Sequence, residues 1–375
     1  MSADPVIGVV GLGTMGLGIA QVYAAAGFAV IGFDGHDAAR GNAAERMGAA
    51  LGQRVAAGKL NDAAMKATLG RFSVGDGMQA LSPCALVIEA IVEDLAAKQA
   101  LFAALEGIVG VGAVLATNTS SLPVAQIAAG LARPDRCLAL HFFNPVPAMK
   151  LVELAPHAGT SAQAIQQAQI WTEAAGKVVI TCPDRPGFIV NRCARPYYGE
   201  ALALLQEGRS AAQVDAAMVA AGYRLGPFAL IDLIGADINL AATIGLHAAM
   251  GHHPRYHPFD ALRAQVAKGD LGRKTGRGFV HPDAPQDPPA DAAAIAFRIE
   301  ATLVNEAHWL LAEGGVTAQG VDSALRLGLN FPRGPFETLA QYGRAAVLAE
   351  LARLHAAAPP AMQARYVAAP GLEMP

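Results

Sequence analysis

The stretch VIGVVGLGTMGLGIAQVYAAAGFAVIGFD, residues 6 to 34, decides the fold. An apolar run enters a glycine turn, a helix-period segment follows, and a second apolar run ends on an acid. That is the pattern of a strand, a helix and a second, parallel strand. Gly11, Gly13 and Gly16 form GxGxxG, with Thr14 and Met15 inside the loop. Gly11 allows the tight turn, Gly13 lets a pyrophosphate approach the backbone at a helix N-terminus, and Gly16 lets helix and strand pack closely. Alone this motif is weak. Set between a strand and a helix and answered by Asp34, it reads as a dinucleotide site rather than a chance glycine-rich turn. The Asp34 carboxylate suits the adenine-ribose hydroxyls and repels a 2′-phosphate. The nearest following cation is Arg40 and no basic cluster is present, so the expected cofactor is NAD.

Working outward, residues 36 to 71 carry helical spacing with a turn at Gly58 and Asn61–Asp62, which predicts a helical hairpin inserted before the third strand. Its Lys59 and Lys66 suit a phosphate-bearing substrate, although lysines on a solvated face are the ordinary case. Alternation then resumes. RFSV and ALVIEAIVE read as strands, LAAKQALFAALEGIV as a helix, and AVLATNTSS as a strand entering a turn. RCLALHFFN and MKLVELAP read as two more strands joined by NPVPA, followed by a helix over 161 to 175 and the strand KVVITC. Glu93 and Lys98 fall near the C-terminal rim of a strand, where doubly wound sheets bind ligands.

His141 and Glu153 are read at the ends of successive strands on either side of a proline-braced loop. A lone histidine there is more often a satisfied core residue. A glutamate beside it fixes the tautomer and favours the imidazolium, as a base that removes a hydroxyl proton requires. Ser120, at a strand end, and Asn191 are candidate donors to a substrate oxygen.

The totals agree with a multidomain globular protein: 375 residues, 53% hydrophobic, net charge −3. No basic stripe points to nucleic acid, and the apolar runs are broken well short of a membrane span. MSADPV leads at once into a strand-like run, which argues against a signal peptide. Cys84, Cys137, Cys182 and Cys193 are scattered and read as reduced, mostly buried thiols of a cytoplasmic protein.

Taken in order, GLGTMGLGIA, VIEAIVEDLAAKQALF, ATNTSSLPV, HFFNPVPAMKLVEL, PGFIVNR and LGRKTGRGF resemble the L-3-hydroxyacyl-CoA dehydrogenase family over about residues 5 to 280. The resemblance implies NAD-dependent, reversible oxidation of a 3-hydroxyacyl-CoA to the 3-ketoacyl-CoA. His141 falls on the catalytic histidine and Glu153 on its partner; Ser120 and Asn191 fall on the substrate contacts. The glycine loop, Asp34, Glu93, Lys98 and Asn118 fall on the NAD contacts, and the helical hairpin falls on a CoA-holding element. Two other readings compete. One is oxidation of a free hydroxy acid by a gulonate- or crystallin-like relative; the other is a non-catalytic NAD-binding scaffold, against which the joint presence of Ser120, His141, Glu153 and Asn191 argues. No hydratase-like segment precedes residue 1, so the dehydrogenase step alone is expected.

From Arg185 helical spacing takes over, and it repeats. EALALLQEG (200 to 208) is echoed by EAHWLLAEG (306 to 314), and QVDAAMVAAGYRLGPF (213 to 228) by GVDSALRLGLNFPRGPF (320 to 336). The expected fold is therefore an α/β Rossmann-type doubly wound NAD-binding domain (1–184) followed by two all-α, duplicated helical domains (185–285 and 286–375), with a linker over 281 to 292. Phe297 stands where the second copy would need Asn191, so one active site is expected. The copies are expected to cover each other, giving a monomer by internal pairing, with a homodimer as the other possibility. Three further features stay open. GHHPRYHPF reads as a loop rather than a metal site. KGDLGRKTGRGF is either a phosphate nest or a structural turn. Arg195 is either an ordinary surface arginine or a partner for a terminal carboxylate.

Overall fold

The computed structural model describes residues 5–372, and the chain divides into two compact units between Arg185 and Pro186. The reading of MSADPV as a leader-free start lies largely outside the described residues. In the first unit the strands are β1 (Val6–Val10), β2 (Val30–Phe33), β3 (Phe72–Val74), β4 (Cys84–Glu89), β5 (Val114–Thr117), β6 (Cys137–Phe142), β7 (Leu151–Pro156) and β8 (Val178–Thr181). Between them run α1 (Thr14–Ala25), α2 (Asp37–Ala56), α3 (Asp62–Gly70), α4 (Leu95–Glu106), α5 (Val124–Ala128) and α6 (Ala162–Ala174). Among the described residues the strands form one sheet in the order β3-β2-β1-β4-β5-β6-β7-β8.

The central strands read as continuous apolar runs because helices cover both faces. All neighbours are parallel except β6 and β7. The segment joining those two is too short for a crossover helix, so the chain can only turn back on itself. β1 lies between β2 and β4, so the crossovers leave it in opposite directions and open a crevice at its C-terminal end. The predicted helical hairpin is α2 and α3. Gly58 supplies the left-handed turn at φ +67°, and the Asn61 side chain caps α3 by accepting from the Ala64 amide at 2.8 Å.

The second unit runs through one helical sequence twice. Its first pass is α7 (Val190–Cys193), α8 (Arg195–Gln206), α9 (Ala211–Ala220), α10 (Pro227–Ile234), α11 (Ala236–Ala249), a single turn at Pro254–Tyr256 and α12 (Asp260–Ala267). Its second pass is α13 (Ala292–Ala312), α14 (Ala318–Leu329), α15 (Pro335–Tyr342), α16 (Arg344–Ala357) and a turn at Pro360–Tyr366. The shared Gly-Pro-Phe has a physical cause. Asp215 accepts from the Phe228 and Ala229 amides at the start of α10, and Asp322 accepts from the Phe336 and Glu337 amides at the start of α15. A Cβ on Gly226 would lie 2.4 Å from the Asp215 carboxylate, and one on Gly334 would lie 2.2 Å from that of Asp322. Only glycine lets the capping acid in, and proline follows where no amide donor is needed.

The two passes hold each other by reciprocal charge pairing. Arg192 donates to Glu306 and Glu313, while Arg298 donates to Glu200 and Glu207. Arg255 and Tyr256 complete the shell of Glu306; Arg365 and Tyr366 complete that of Glu200. Glu200 and Glu306 are fully buried, and a buried carboxylate persists only when paired and hydrogen-bonded in this way. The segment KGDLGRKTGRGF resolves as a built turn. The Asp232 carboxylate accepts from the amides of Phe279, Val280 and His281, and Lys274 pairs with Asp237. Among the described residues no single helix is long and apolar enough to cross a membrane.

Candidate active site

At the end of β1 the loop folds as its glycines require. Gly11 has φ +91°, and a Cβ there would sit 2.5 Å from the Ala90 carbonyl oxygen. On Gly16 a Cβ would meet the Gly11 carbonyl at 1.7 Å, whereas at Gly13 it would meet nothing within 4 Å. Gly13 and Thr14 are exposed, and α1 begins at Thr14 without a side-chain cap. The first-turn amides of α1 thus stand at an open cradle, a fit for a dinucleotide pyrophosphate. Asp34 anchors the rim of this cradle by accepting from the Leu12 amide at 2.8 Å and the His36 amide at 2.9 Å. Arg40 is tied to Asp37 and to the Asp34 carbonyl, so the nearest cation is already engaged.

Across the crevice Glu93 organises the turn after β5. It accepts from the Thr119 hydroxyl at 2.5 Å, from the Ser120 and Ser121 amides and from the Ser121 hydroxyl. Burial pushes the Glu93 carboxyl up, but the Thr119 hydroxyl and the Lys98 charge outweigh it and hold it below the usual carboxylate range. Lys98 is only 1% exposed, sealed between Glu89 at 2.6 Å and Glu93 at 3.2 Å. Asn118 accepts from the Phe142 amide at 2.8 Å, which ties the end of β5 to the residue following His141.

His141 and Glu153 are direct cross-strand partners in the antiparallel β6–β7 pair. His141 is the penultimate residue of β6, and Glu153 is the third of β7 rather than its end. The register sets the two side chains on one face, and His141 Nδ1 lies 2.7 Å from Glu153 Oε2. Both are buried, Glu153 completely. Lys177 braces the joining loop by donating to the carbonyls of Val146 and Met149 at 2.5 and 2.7 Å. Burial pulls its ammonium down to about 8.

Asn191 belongs to α7 of the second unit. Lys59 and Lys66 are exposed, on the turn before α3 and on α3 itself. The surface reading of Arg195 is wrong: its side chain is buried, because α8 packs it under α11. Arg195 Nη1 meets Thr243 at 2.9 Å.

Comparison with known proteins fits this geometry. The family described as 3-hydroxyacyl-CoA dehydrogenase, NAD binding domain, matches residues 6–185. The 3-hydroxyacyl-CoA dehydrogenase C-terminal domain matches residues 187–281 and 295–372. The chain belongs to the 3-hydroxyacyl-CoA dehydrogenase family. It is 42% identical over 274 residues to 3-hydroxyadipyl-CoA dehydrogenase of Escherichia coli K12, a match covering 72% of this chain and 58% of that relative. With 3-hydroxybutyryl-CoA dehydrogenase of Mycobacterium tuberculosis it shares 40% identity over 277 residues, 73% of this chain and 96% of the other. The crystal structure of 3-hydroxybutyryl-CoA dehydrogenase from Escherichia coli K12 superposes with a TM-score of 0.92 at 31% identity, covering 99% and 98% of the two chains. As a family member the chain is an NAD-dependent oxidoreductase that converts an L-3-hydroxyacyl-CoA to its 3-ketoacyl-CoA.

Several residues that shape this dehydrogenase site escaped the sequence reading. Glu89 ends β4 fully buried, accepting from Lys98, from the Thr117 hydroxyl at 2.6 Å and from the Ile91 amide at 2.7 Å. The one available signal was an acid closing an apolar strand, the same signal that picked out Asp34. Thr119 and Lys177 carried none, since their partners are backbone or distant in sequence.

Proposed function

We propose that His141 is the general acid–base of the reaction and Glu153 the group that orients it and stabilises its protonated form. The observation that carries this is the 2.7 Å contact between His141 Nδ1 and a fully buried carboxylate. Glu153 accepts a hydrogen bond from Nδ1–H, which sets the tautomer in which Nε2 removes the proton of the 3-hydroxyl; the carboxylate stabilises the resulting imidazolium electrostatically and need not become protonated. A bound NAD would supply the hydride acceptor for C3. Ser120 and Asn191 hold the oxygen that changes from alcohol to carbonyl. The cofactor is held by the glycine loop, Gly11 to Gly16 with Thr14 and Met15, by Asp34 and by Asn118 and Glu93. Lys98, being sealed, acts on that site through Glu93. Lys59 and Lys66 serve the CoA phosphates.

We assign the protein to β-oxidation of an acyl-CoA in fatty-acid or aromatic degradation, in the cytoplasm; its four buried cysteines carry no disulfide, as a reducing compartment requires. The reciprocal arginine–glutamate pairs between the helical passes support a monomer, with domain limits at 1–184, 185–285 and 286–375. Light scattering giving a single-chain mass checks this, and a stable dimer would overturn it.

The test of the chemistry is NADH consumption with acetoacetyl-CoA beside free acetoacetate, for wild type and His141→Ala. Turnover of the thioester alone, reduced by about 10²–10⁴-fold in the variant, is expected. Turnover of the free acid would move the protein to the hydroxy-acid relatives.

A further inference from the structure

The second unit buries five arginines, and four of them meet glutamates: Arg192, Arg255, Arg298 and Arg365. Arg195 is the exception. It is 7% exposed, yet no carboxylate faces it among the described residues. Its Nε donates to the Asn191 carbonyl at 3.0 Å, and its Nη1 reaches Thr243 Oγ1 at 2.9 Å and the Asn239 carbonyl at 3.5 Å. The Tyr198 ring lies 4.9 Å from the guanidinium. Nη2 donates to no described protein group. On Asn239, itself 2% exposed, neither the side-chain oxygen nor the nitrogen has a protein partner.

A buried guanidinium without a counter-charge is costly to maintain, and so is a buried amide with no partner. Four similar arginines in the same unit show how this fold neutralises such a charge when the charge is structural. Arg195 therefore stands ready for an anion that the protein does not supply. A guanidinium fork presenting an unused N–H edge is the geometry that takes a carboxylate.

We propose that Arg195, with Asn239 and Thr243, binds the terminal carboxylate of a short dicarboxylic 3-hydroxyacyl chain and determines acyl specificity. This rests on the assignment of Asn191 to the substrate oxygen at C3. Arg195 hydrogen-bonds the carbonyl of that same residue, one helical turn away. In a six-carbon dicarboxylic chain the far carboxyl carbon lies three C–C bonds from C3, about 4 Å, which suits groups held on adjacent turns. A longer diacid would overshoot, and a terminal methyl would leave the guanidinium desolvated and unpaired.

The test compares kcat/KM for 3-hydroxyadipyl-CoA and 3-hydroxyhexanoyl-CoA, equal in chain length, in wild type, Arg195→Met, Arg195→Lys and Thr243→Asp. Wild type is expected to favour the diacid. Arg195→Met loses on the order of 100-fold on the diacid alone, mostly in KM, and Arg195→Lys recovers part of it. Thr243→Asp gives the guanidinium a permanent counter-ion, so it abolishes the preference while keeping the cluster folded. Equal loss on both substrates, or no preference in wild type, overturns the specificity role while leaving the dehydrogenase reading intact. Failure of wild type on both thioesters overturns that reading instead, and this one with it.

Discussion

The two helical passes of the second unit differ in what they kept. Both retain the buried glutamate (Glu200, Glu306), the arginine that answers it across the pair (Arg298, Arg192), the capping aspartate (Asp215, Asp322) and Gly-Pro-Phe. Asn191, Arg195 and Pro196 of the first pass stand where the second has Phe297, Ala301 and Thr302. Pro196 cannot continue a helix backward, and the helix is broken at Ala194 between α7 and α8. With Thr302 in its place, α13 runs unbroken over Ala292–Ala312. The lesson is that residues serving the pairing of the copies are held twice, while the residues we assign to the substrate are held once.

The sharpest way to break the comparison is at the ion clusters. Glu306→Ala and Glu200→Ala should each cost about 3–5 kcal/mol, because each leaves one buried arginine (Arg255 or Arg365) without a carboxylate and takes one of two from another (Arg192 or Arg298). Denaturant unfolding should return nearly equal losses for the two. A clear inequality would mean that the pairing is not symmetric in energy, whatever its geometry.

Activity should divide the copies instead of uniting them. Asn191→Ala should lower kcat/KM by about 10²–10³, the cost of one donor to a developing oxyanion. Phe297→Asn should leave kcat/KM at the wild-type value and cost about 1–3 kcal/mol of stability, since it removes a ring packed 4.5 Å from that of Tyr342. Any rise or loss in turnover for Phe297→Asn would show that the second copy does reach the chemistry.

Much of this was legible in the sequence because it is local or periodic. The glycine loop and Asp34 declare themselves within one βαβ unit, and the duplication declares itself through Glu-Ala and Gly-Pro-Phe at matching spacing. His141 and Glu153 were found as a pair because an antiparallel turn keeps cross-strand partners close in sequence. What stayed hidden depends on long-range partners. Nothing near Arg195 in sequence reveals that α11 covers it. Nothing near Arg192 or Arg298 names a glutamate about a hundred residues away. A surface reading of an arginine is the composition-based default, and only the packing of helices corrects it.

The capping aspartates offer the finest comparison. Burial pushes the Asp215 carboxyl up to about 7, against the opposing amides of Phe228 and Ala229. Unfolded, the group titrates near ~3.9. Between those values the folded chain holds a proton that the unfolded chain has released. The stability this contributes is complete below the unfolded value and is lost as pH rises through about 7, at a slope of at most about 1.4 kcal/mol per pH unit. Asp322 is raised by burial as well, with the Glu337 charge adding to it, so its sign is the same. Urea midpoints followed from about pH 4 to about pH 8 should therefore lose part of their alkaline decline in Asp215→Asn and in Asp322→Asn, each variant also costing about 1 kcal/mol as a weakened cap. If either variant leaves the decline untouched, its two backbone amides win over burial and the cap is a carboxylate throughout. The two passes would then differ in charge at a position where their sequences agree.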